Sequence, residues 1–217
     1  GLSLAVSSPA EIIRGEWQIL TSRSILVTDY IALGGLGAAF FNAGLVSLMG
    51  LAAAWLVKAR FNGYLLAALF TLAGFGFFGN NPFNILPTML GVYLYETLFS
   101  HKPMRDLIAP LLFGTTLGPV VSQTVFGFGS GVGWLALGLA LGILAGMLLA
   151  ALMNHIYSFH MGYNLYNTGT TGGFVATVVY MMMRGFGLEI TPVFYWSTEY
   201  TGLLTLGLVV FLSAVIA

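Results

Sequence analysis

The amino-acid sequence predicts an all-α fold, a polytopic transmembrane helix bundle in which some helices are broken or re-entrant. The chain is 58% hydrophobic and 6% charged, whereas ordinary globular domains carry about 25% charged residues. Residues 107–183 form a run of 77 positions without Lys, Arg, Asp or Glu. A soluble surface needs charge, so we expect lipid to be the solvent of this chain.

The N-terminal part is predicted to differ from the rest. Residues 1–28 are interpreted as an interfacial segment, in which Pro9 and Glu11 begin a short amphipathic helix. Residues 29–217 are interpreted as the transmembrane domain, with about six membrane segments, some of them discontinuous. Asp29 is expected to cap the first helix of that domain, because a carboxylate there meets the positive end of the helix dipole.

The membrane segments follow from apolar runs and the breaks between them. Residues 31–57 are long for one span, which predicts a tilted helix or one broken near Asn42. Residues 107–128 contain two prolines and several glycines, which favours a re-entrant or discontinuous helix. The remaining apolar runs are residues 63–79, 85–99, 132–153, 174–183 (too short to cross alone) and 200–217.

Basic residues predict the topology. Lys58 and Arg60 lie on the same side as Lys102 and Arg105 if the second and third spans form a hairpin, and the positive-inside rule places that side in the cytoplasm. The position of the N-terminus stays open.

A dense polar segment, residues 155–173, interrupts the charge-free run. Polar groups at membrane depth usually face a bundle interior or a wet cavity, and irregular backbone there must line such a space. Asn164 and Asn167 share a helical face, and His160, Thr170 and Thr171 add further polar groups. These residues are predicted to bind a neutral polar solute, or an ion that is coordinated by neutral dipolar groups. The alternative is a capped break in a helix, in which the polar groups form hydrogen bonds with each other and bind no ligand.

Two smaller polar motifs are further candidates for substrate binding. Asn80 and Asn84 lie in a turn flanked by phenylalanines, which suits a pore mouth or simply an interfacial aromatic belt. Thr115 and Thr116 belong to a Gly-Thr-Thr sequence that occurs again at residues 169–171, and both segments are interpreted as unwound half-helix tips meeting near the midplane.

Composition also excludes several functions. The chain has no Cys, which excludes disulfides and thiolate chemistry, and its balanced charge excludes a nucleic-acid footprint. His155 and His160 are poorly spaced for zinc, and no hydrolase, nucleotide or dinucleotide motif is present. We therefore expect no enzyme, metal or cofactor; an intramembrane enzyme using either histidine is the weakest alternative.

Small residues indicate close helix packing. Gly138, Gly142 and Gly146 repeat every four positions on one helix face. The spacing favours ordinary packing within the chain, and a homo-oligomer interface is the alternative.

Four ordered motifs carry a resemblance to a known family: residues 28–45, 74–87, 114–119 and 160–169. Together they resemble a bacterial family of multi-pass membrane proteins that carries only a domain-of-unknown-function label. Its members look about twice as long as this chain, with a second half that repeats similar motifs. The resemblance implies one half of a two-repeat membrane protein, which agrees with the apolar run from Leu203 to Ala217 that ends the chain without a polar flank.

The function expected from these features is an integral membrane transporter or channel half, for a small uncharged polar solute or an ion. The alternative is a non-transporting integral subunit or scaffold of a larger membrane complex. Expected partners are membrane lipid and a second homologous half or further membrane subunits. The expected location is the bacterial inner membrane.

Overall fold

The structure is a computed structural model that describes residues 2–25, 28–100, 103–163, 167–190 and 196–216, with the backbone alone at 104, 106 and 154. In chain order its helices are α1 (Leu2–Val6), α2 (Pro9–Thr21), α3 (Tyr30–Gly34), α4 (Leu36–Leu56), α5 (Gly63–Phe75), α6 (Pro82–Tyr95), α7 (Met104–Gly114), α8 (Gly118–Gly127), α9 (Val132–His160), α10 (Asn167–Gly185) and α11 (Thr201–Ile216). A π-helical turn, Glu96–Ser100, extends α6, and a 3-10 turn, Thr115–Leu117, joins α7 to α8. The described residues form no β-strand, which confirms the all-α prediction.

Three helical runs in the described residues are long and apolar enough to cross a membrane: Leu36–Leu56, Leu107–Gly127 and Val132–Met153. The middle run is buried among the other helices, whereas α5 and α11 are apolar but shorter. These features fit an integral membrane protein. The larger number of segments and the two-repeat arrangement stay predictions.

The glycine face of α9 packs closely against α6 and α8. Gly138 lies against Val125 of α8, and Gly146 lies against the backbone of Thr88 in α6. Gly142 lies between Val121 and Pro87. The three glycines therefore pack within the chain, as the first interpretation of their spacing stated. A second copy could reach this face only by displacing α6 and α8.

The directions of the helices bring Arg60 and Arg105 to the same end of the bundle. Gly50 of α4 lies against Leu69 and Leu72, and Gly76 lies against Ala43 and Val46, so α4 and α5 are antiparallel. Arg60 and Arg105 line one cavity at the start of α5 and α7. The prediction that these two residues share a side is confirmed, and Lys102 lies outside the described residues. That this side is cytoplasmic stays a prediction.

The first apolar stretch breaks at Gly35 and continues unbroken through Asn42, so of the two alternatives for this stretch the break near Asn42 is wrong. Gly35 has a φ of +86°, a conformation that side chains other than glycine rarely adopt, and it separates α3 from α4. Asp29 caps α3 as predicted, since its carboxylate accepts from the backbone N–H groups of Ile31 and Ala32. Asn42 lies inside α4, because its side chain bonds to another segment and leaves the helix backbone undisturbed.

The second half of the polar segment is helical, which corrects the expectation of irregular backbone there. α10 begins at Asn167 and runs through Gly169, Gly172 and Gly173 without a break. Gly172 faces Leu149 and Thr116 in the bundle, whereas Gly173 faces open space. Residues 104–127 likewise form a helical run with one 3-10 turn, so a re-entrant path there stays a prediction.

The N-terminal segment forms the predicted amphipathic helix, but its buried face contacts protein. Ser8 and Glu11 form a capping box around Pro9 at the first turn of α2. Gly15 then lies against the backbone of Gly34, and Ile19 is fully buried beside α3. α2 is thus docked on the bundle, while Trp17 on the opposite face stays exposed.

Candidate functional site

The main candidate site is a group of buried neutral polar side chains, named here the asparagine cluster. It lies where the turn between α5 and α6, residues 76–81, meets α4 and the start of α8. Its members, which are almost completely inaccessible to solvent, are Asn42, Asn80, Asn81, Asn84, Thr115 and Ser122. Polar groups buried in this way are normally paired by hydrogen bonds. Any donor or acceptor that is left unpaired is therefore a candidate for binding a ligand.

The start of α6 organises half of the cluster. Pro82 occupies the first helical position, and Asn81 and Asn84 each accept a hydrogen bond from the other's backbone N–H, at 3.0 Å and 2.9 Å. Asn84 also donates to the carbonyl of Gly79 at 2.7 Å and to Ser122 Oγ at 2.9 Å. Asn84 therefore joins the helix start, the preceding turn and α8 through one side chain.

Two asparagines hold the turn against α4 and α7. Asn42 Nδ2 donates to the carbonyl oxygens of Gly76 and Asn80, at 2.6 Å and 2.8 Å. Asn80 Nδ2 donates to Thr115 Oγ1 at 3.1 Å, and that hydroxyl donates to the carbonyl of Leu112. The remaining side-chain oxygens, Oδ1 of Asn42 and Oδ1 of Asn80, are buried without a hydrogen-bond partner in the part of the chain that the structure describes.

The N-terminal helices cover the cluster. Asn81 Nδ2 donates to the carbonyl of Ile19 in α2 at 3.2 Å and lies 3.3 Å from the hydroxyl of Tyr30. Ser24 donates to the carbonyl of Gly79 at 3.2 Å. Glu16, on the same face of α2 as Ile19, is buried, and burial raises the pKa of its carboxyl to about 7.

A second polar group, named here the α9–α10 connector, lies at the opposite end of α5. His160, the last residue of α9, has Nε2 2.8 Å from Asn167 Oδ1, and Asn167 Nδ2 donates to the carbonyl of Met153. Thr171 donates back to the carbonyl of Asn167 at 2.9 Å. The Thr168 hydroxyl lies 3.0 Å from that of Tyr64 at the start of α5. The connector is more open than the cluster: Tyr163 is 96% exposed.

The structure divides the predicted site residues into two groups. Asn80, Asn84 and Thr115 come together in the asparagine cluster, where Asn80 and Asn84 are fully buried. Of the two interpretations of their turn, the pore mouth therefore does not fit this structure. His160, Asn167 and Thr171 come together in the connector. The separation follows from α5, whose length from Tyr64 to Gly76 corresponds to about 18 Å at the usual helical rise.

The other predicted residues lie between or outside these groups. Thr116 donates to the carbonyl of Phe113, and its hydroxyl faces Gly172 of α10. Thr116 thus adjoins the residue that follows the second Gly-Thr-Thr segment, and both segments lie in helical turns; their meeting as unwound tips near the midplane stays a prediction. Thr170 lies on the exposed side of α10, and Asn164 lies outside the described residues.

Several members of the cluster escaped prediction. Asn42 was interpreted only as the place where a helix is either tilted or broken, and Ser122 was not considered. A signal exists for Ser122: the consecutive Ser122, Gln123 and Thr124 interrupt an otherwise apolar run, and all three are buried. No local signal links Asn42 to Asn80, because the contact depends on how α4 and α5 pair.

The site chemistry is that of neutral donors and acceptors. The cluster contains amides and hydroxyls and no formal charge. Among the described residues, no three His, Asp or Glu side chains come close enough to hold a metal ion. Such an arrangement can bind a hydroxyl, an amide or a weakly hydrated ion through oxygen dipoles.

A comparison with known protein families identifies one family whose model matches most of the chain. A family model described as "Protein of unknown function (DUF1576)" matches residues 8–185. The chain belongs to this family. The DUF1576 match contains both the asparagine cluster and the connector, and it ends at the last residue of α10. No curated protein and no solved structure matches the chain.

Proposed function

We propose that this chain is the membrane-embedded part of a transporter or channel for a small uncharged polar solute, or for an ion bound by neutral oxygens. The observation that carries the proposal is the pair of buried carbonyl oxygens, Asn42 Oδ1 and Asn80 Oδ1, that lack a hydrogen-bond partner among the described residues. Leaving a buried acceptor unpaired costs about 1–3 kcal/mol, so such groups in a native protein need an explanation. A transported ligand that pairs with them at one stage of a cycle supplies one.

The backbone at this position supports the same proposal. The turn between α5 and α6 contains Gly79, whose φ is +86°, and it is enclosed by α4, α8 and the N-terminal helices. Non-helical backbone between membrane helices is tolerated only where protein or a cavity surrounds it, and transporters often build their sites there. In this proposal Asn80, Asn84 and Thr115 contact the ligand inside the bundle.

A route along the bundle would pass from the cluster towards the connector. Thr116 and Gly172 adjoin each other between the two regions. His160, Asn164, Asn167, Thr170 and Thr171 are proposed to contact the ligand at the end that carries Arg60 and Arg105. The bacterial inner membrane is the proposed location.

Flux through proteoliposomes tests the proposal. Urea and glycerol serve as neutral probes and Na⁺ and K⁺ as ionic probes, each compared with protein-free vesicles. Thr115→Val keeps the side-chain shape and removes the acceptor of Asn80 Nδ2. We expect this variant to reduce the flux of the transported probe by about tenfold or more, which corresponds to about 1.4 kcal/mol at the site.

Thr177→Val is the matched control. Thr177 also donates its hydroxyl to a carbonyl of the preceding turn, that of Gly173, but it faces outward on α10. Its flux should equal that of the wild type. Wild-type flux in a folded Thr115→Val protein would contradict a route through the cluster, and no flux of any of the four probes would contradict transport of these classes.

One observation favours the second candidate function, an integral subunit or scaffold of a larger membrane complex. α11 buries none of its residues against the described chain. An apolar helix in this state fits a second homologous half, further membrane subunits or lipid as its covering. Extraction in mild detergent tests this alternative: a stoichiometric membrane partner favours it, and a protein that purifies alone counts against it.

A further inference from the structure

Glu16 is a buried carboxyl group that the proposed transport route does not use. It lies in the middle of α2, on the face that packs against the bundle, and only 7% of the residue is exposed. Both of its carboxyl oxygens are buried without a hydrogen-bond partner in the part of the chain that the structure describes. An ionised carboxylate is costly to bury without a partner, so the group is stable there only in its neutral form.

The helices around Glu16 offer it no positive charge. α2 packs mainly against α1, α3, α4 and α6. The described residues of α1 and α4 include no ionisable side chain, and those of α6, Tyr93 and Tyr95, lie at the opposite end of that helix from Asn81, which contacts α2. Tyr30 of α3 interacts electrostatically with Glu16, but a phenol carries no positive charge.

The charged residues of the N-terminal segment leave this balance unchanged. Arg14 is exposed and acts on Glu11. Arg23 follows α2, and Asp29 accepts hydrogen bonds from the backbone at the start of α3. Burial is the cause that raises the pKa of Glu16 to about 7, and none of these charges offsets it.

α2 is part of the cover of the asparagine cluster. The last carbonyl groups of a helix lack a partner within the helix, and Asn81 of the cluster donates to that of Ile19 at 3.2 Å. Ile12 and Ile19 are buried on the same face of α2 as Glu16. A neutral hydrogen bond and apolar contacts thus hold α2 in place, so a negative charge that appears on this face favours its release.

We propose that ionisation of Glu16 releases α2 from the bundle and uncovers the asparagine cluster, which makes α2 a pH-operated cover. The neutral carboxyl keeps α2 in the closed position that the structure shows. In the open position the ionised carboxylate regains water at the membrane surface, where an amphipathic helix is stable. The inference rests on the packing of α2 alone, so it is independent of whether the cluster transports a solute.

The cover should open as the pH rises. The pKa of Glu16 is raised by burial to about 7 in the closed position, whereas the ordinary value of 4.5 applies when the carboxyl is in water. The preference for the closed position is therefore complete below pH 4.5 and is lost as the pH rises through about 7. Between pH 5 and pH 8 the ratio of closed to open protein should fall by up to about a hundredfold.

Cysteine labelling of the intact purified protein in lipid nanodiscs tests the inference, because the chain has no native cysteine. Ser24→Cys places a thiol between α2 and α3, where the residue is 1% exposed. Ala10→Cys places a thiol on the exposed side of α2 and corrects for the pH dependence of thiol reactivity. With a water-soluble maleimide, the labelling rate at position 24 relative to position 10 should rise by about tenfold or more from pH 5 to pH 8.

Glu16→Gln is the test variant in both cysteine backgrounds, because its side chain stays neutral. The ratio of labelling rates should then keep its pH 5 value over the whole range. Glu11→Gln is the matched control, since it removes an exposed carboxyl from the same helix, and it should follow the wild type. A ratio that is independent of pH with Glu16 present, or a rise that persists in Glu16→Gln, overturns the inference.

Hydrogen exchange of the wild-type protein decides the question if Ser24→Cys does not fold. The protection of the backbone N–H groups of α2, corrected for the intrinsic pH dependence of exchange, should fall between pH 5 and pH 8. Constant protection over this range would overturn the inference without any substitution in the chain.

Discussion

The asparagine cluster and the α9–α10 connector look alike in the sequence and differ in the structure. Both are rich in Asn and Thr, free of formal charge and flanked by apolar runs. In the cluster, Asn80 and Asn84 are fully buried and bond to three separate parts of the fold. In the connector, Asn167 is half-exposed and bonds mainly across one helix pair. The comparison shows that the burial of a polar motif depends on the helices that enclose it. The composition of the motif alone does not determine it.

The largest expected effect comes from removing the central asparagine of the cluster. Asn84→Ala deletes the acceptor for Asn81 N–H and the donors to Gly79 and Ser122, leaving buried groups unpaired. We expect the free energy of unfolding to fall by about 3 kcal/mol or more. Unfolding by sodium dodecyl sulfate from mixed micelles measures this change.

Asn167→Ala is the matched change in the connector. Water can replace its bonds at a half-exposed position, so we expect a loss below about 1 kcal/mol. Equal losses in the two variants would show that burial does not distinguish the regions.

The next effect concerns glycines beside each region. A Cβ at Gly118 would lie 2.7 Å from Asn84 Oδ1, an atom held by its own hydrogen bonds, whereas a Cβ at Gly173 would meet nothing within 4 Å. Gly118→Ala should therefore cost about 1–3 kcal/mol through overpacking. Gly173→Ala should be neutral or stabilising by up to about 1 kcal/mol, because alanine favours a helix more than glycine does.

The same unfolding assay checks this pair. A Gly118→Ala protein as stable as the wild type would mean that the cluster is loosely packed around α8, and the distinction from the connector would weaken.

The smallest effect is a pH dependence at the N-terminal cover of the cluster. The pKa of Glu16 is raised by burial to about 7, above its ordinary value of 4.5. The folded state therefore favours the protonated carboxyl. This contribution to stability is complete below pH 4.5 and is lost as the pH rises through about 7. Melting temperatures measured from pH 5 to pH 8 should fall for the wild type.

Glu16→Gln keeps the shape of the side chain and removes the ionisation. Its melting temperature should fall less over that range, while Glu11→Gln, at an exposed position of the same helix, should follow the wild type. A wild-type fall that persists in Glu16→Gln would assign the pH dependence to another group.

Local chemistry explains which parts of the fold could be predicted. The cap at Asp29, and the start of α6 with Asn81 as its cap and Pro82 in its first turn, depend on neighbouring residues, so the sequence shows them directly. The apolar runs likewise predicted the long helices. Cluster membership depends on contacts between distant segments, such as Asn42 with Gly76, which sequence patterns around either residue do not reveal.

Local reasoning also failed where tertiary packing decided the backbone. Gly169, Gly172 and Gly173 have low helix propensity and predicted an irregular segment, but α10 runs through all three without a break. The polar segment was therefore taken as the main candidate site, whereas the structure buries the asparagine cluster more deeply.

The contact between Asn81 and Ile19 has a consequence for how the protein is made. The two residues are 62 positions apart, and α2 leaves the ribosome before α5 and α6 exist. α2 thus has no polar partner in the bundle until the helical hairpin that carries Asn81 has entered the membrane. Until then we expect α2 to lie at the lipid surface, as amphipathic helices do. Closure of the asparagine cluster accordingly waits for α5 and α6, which are made after α2.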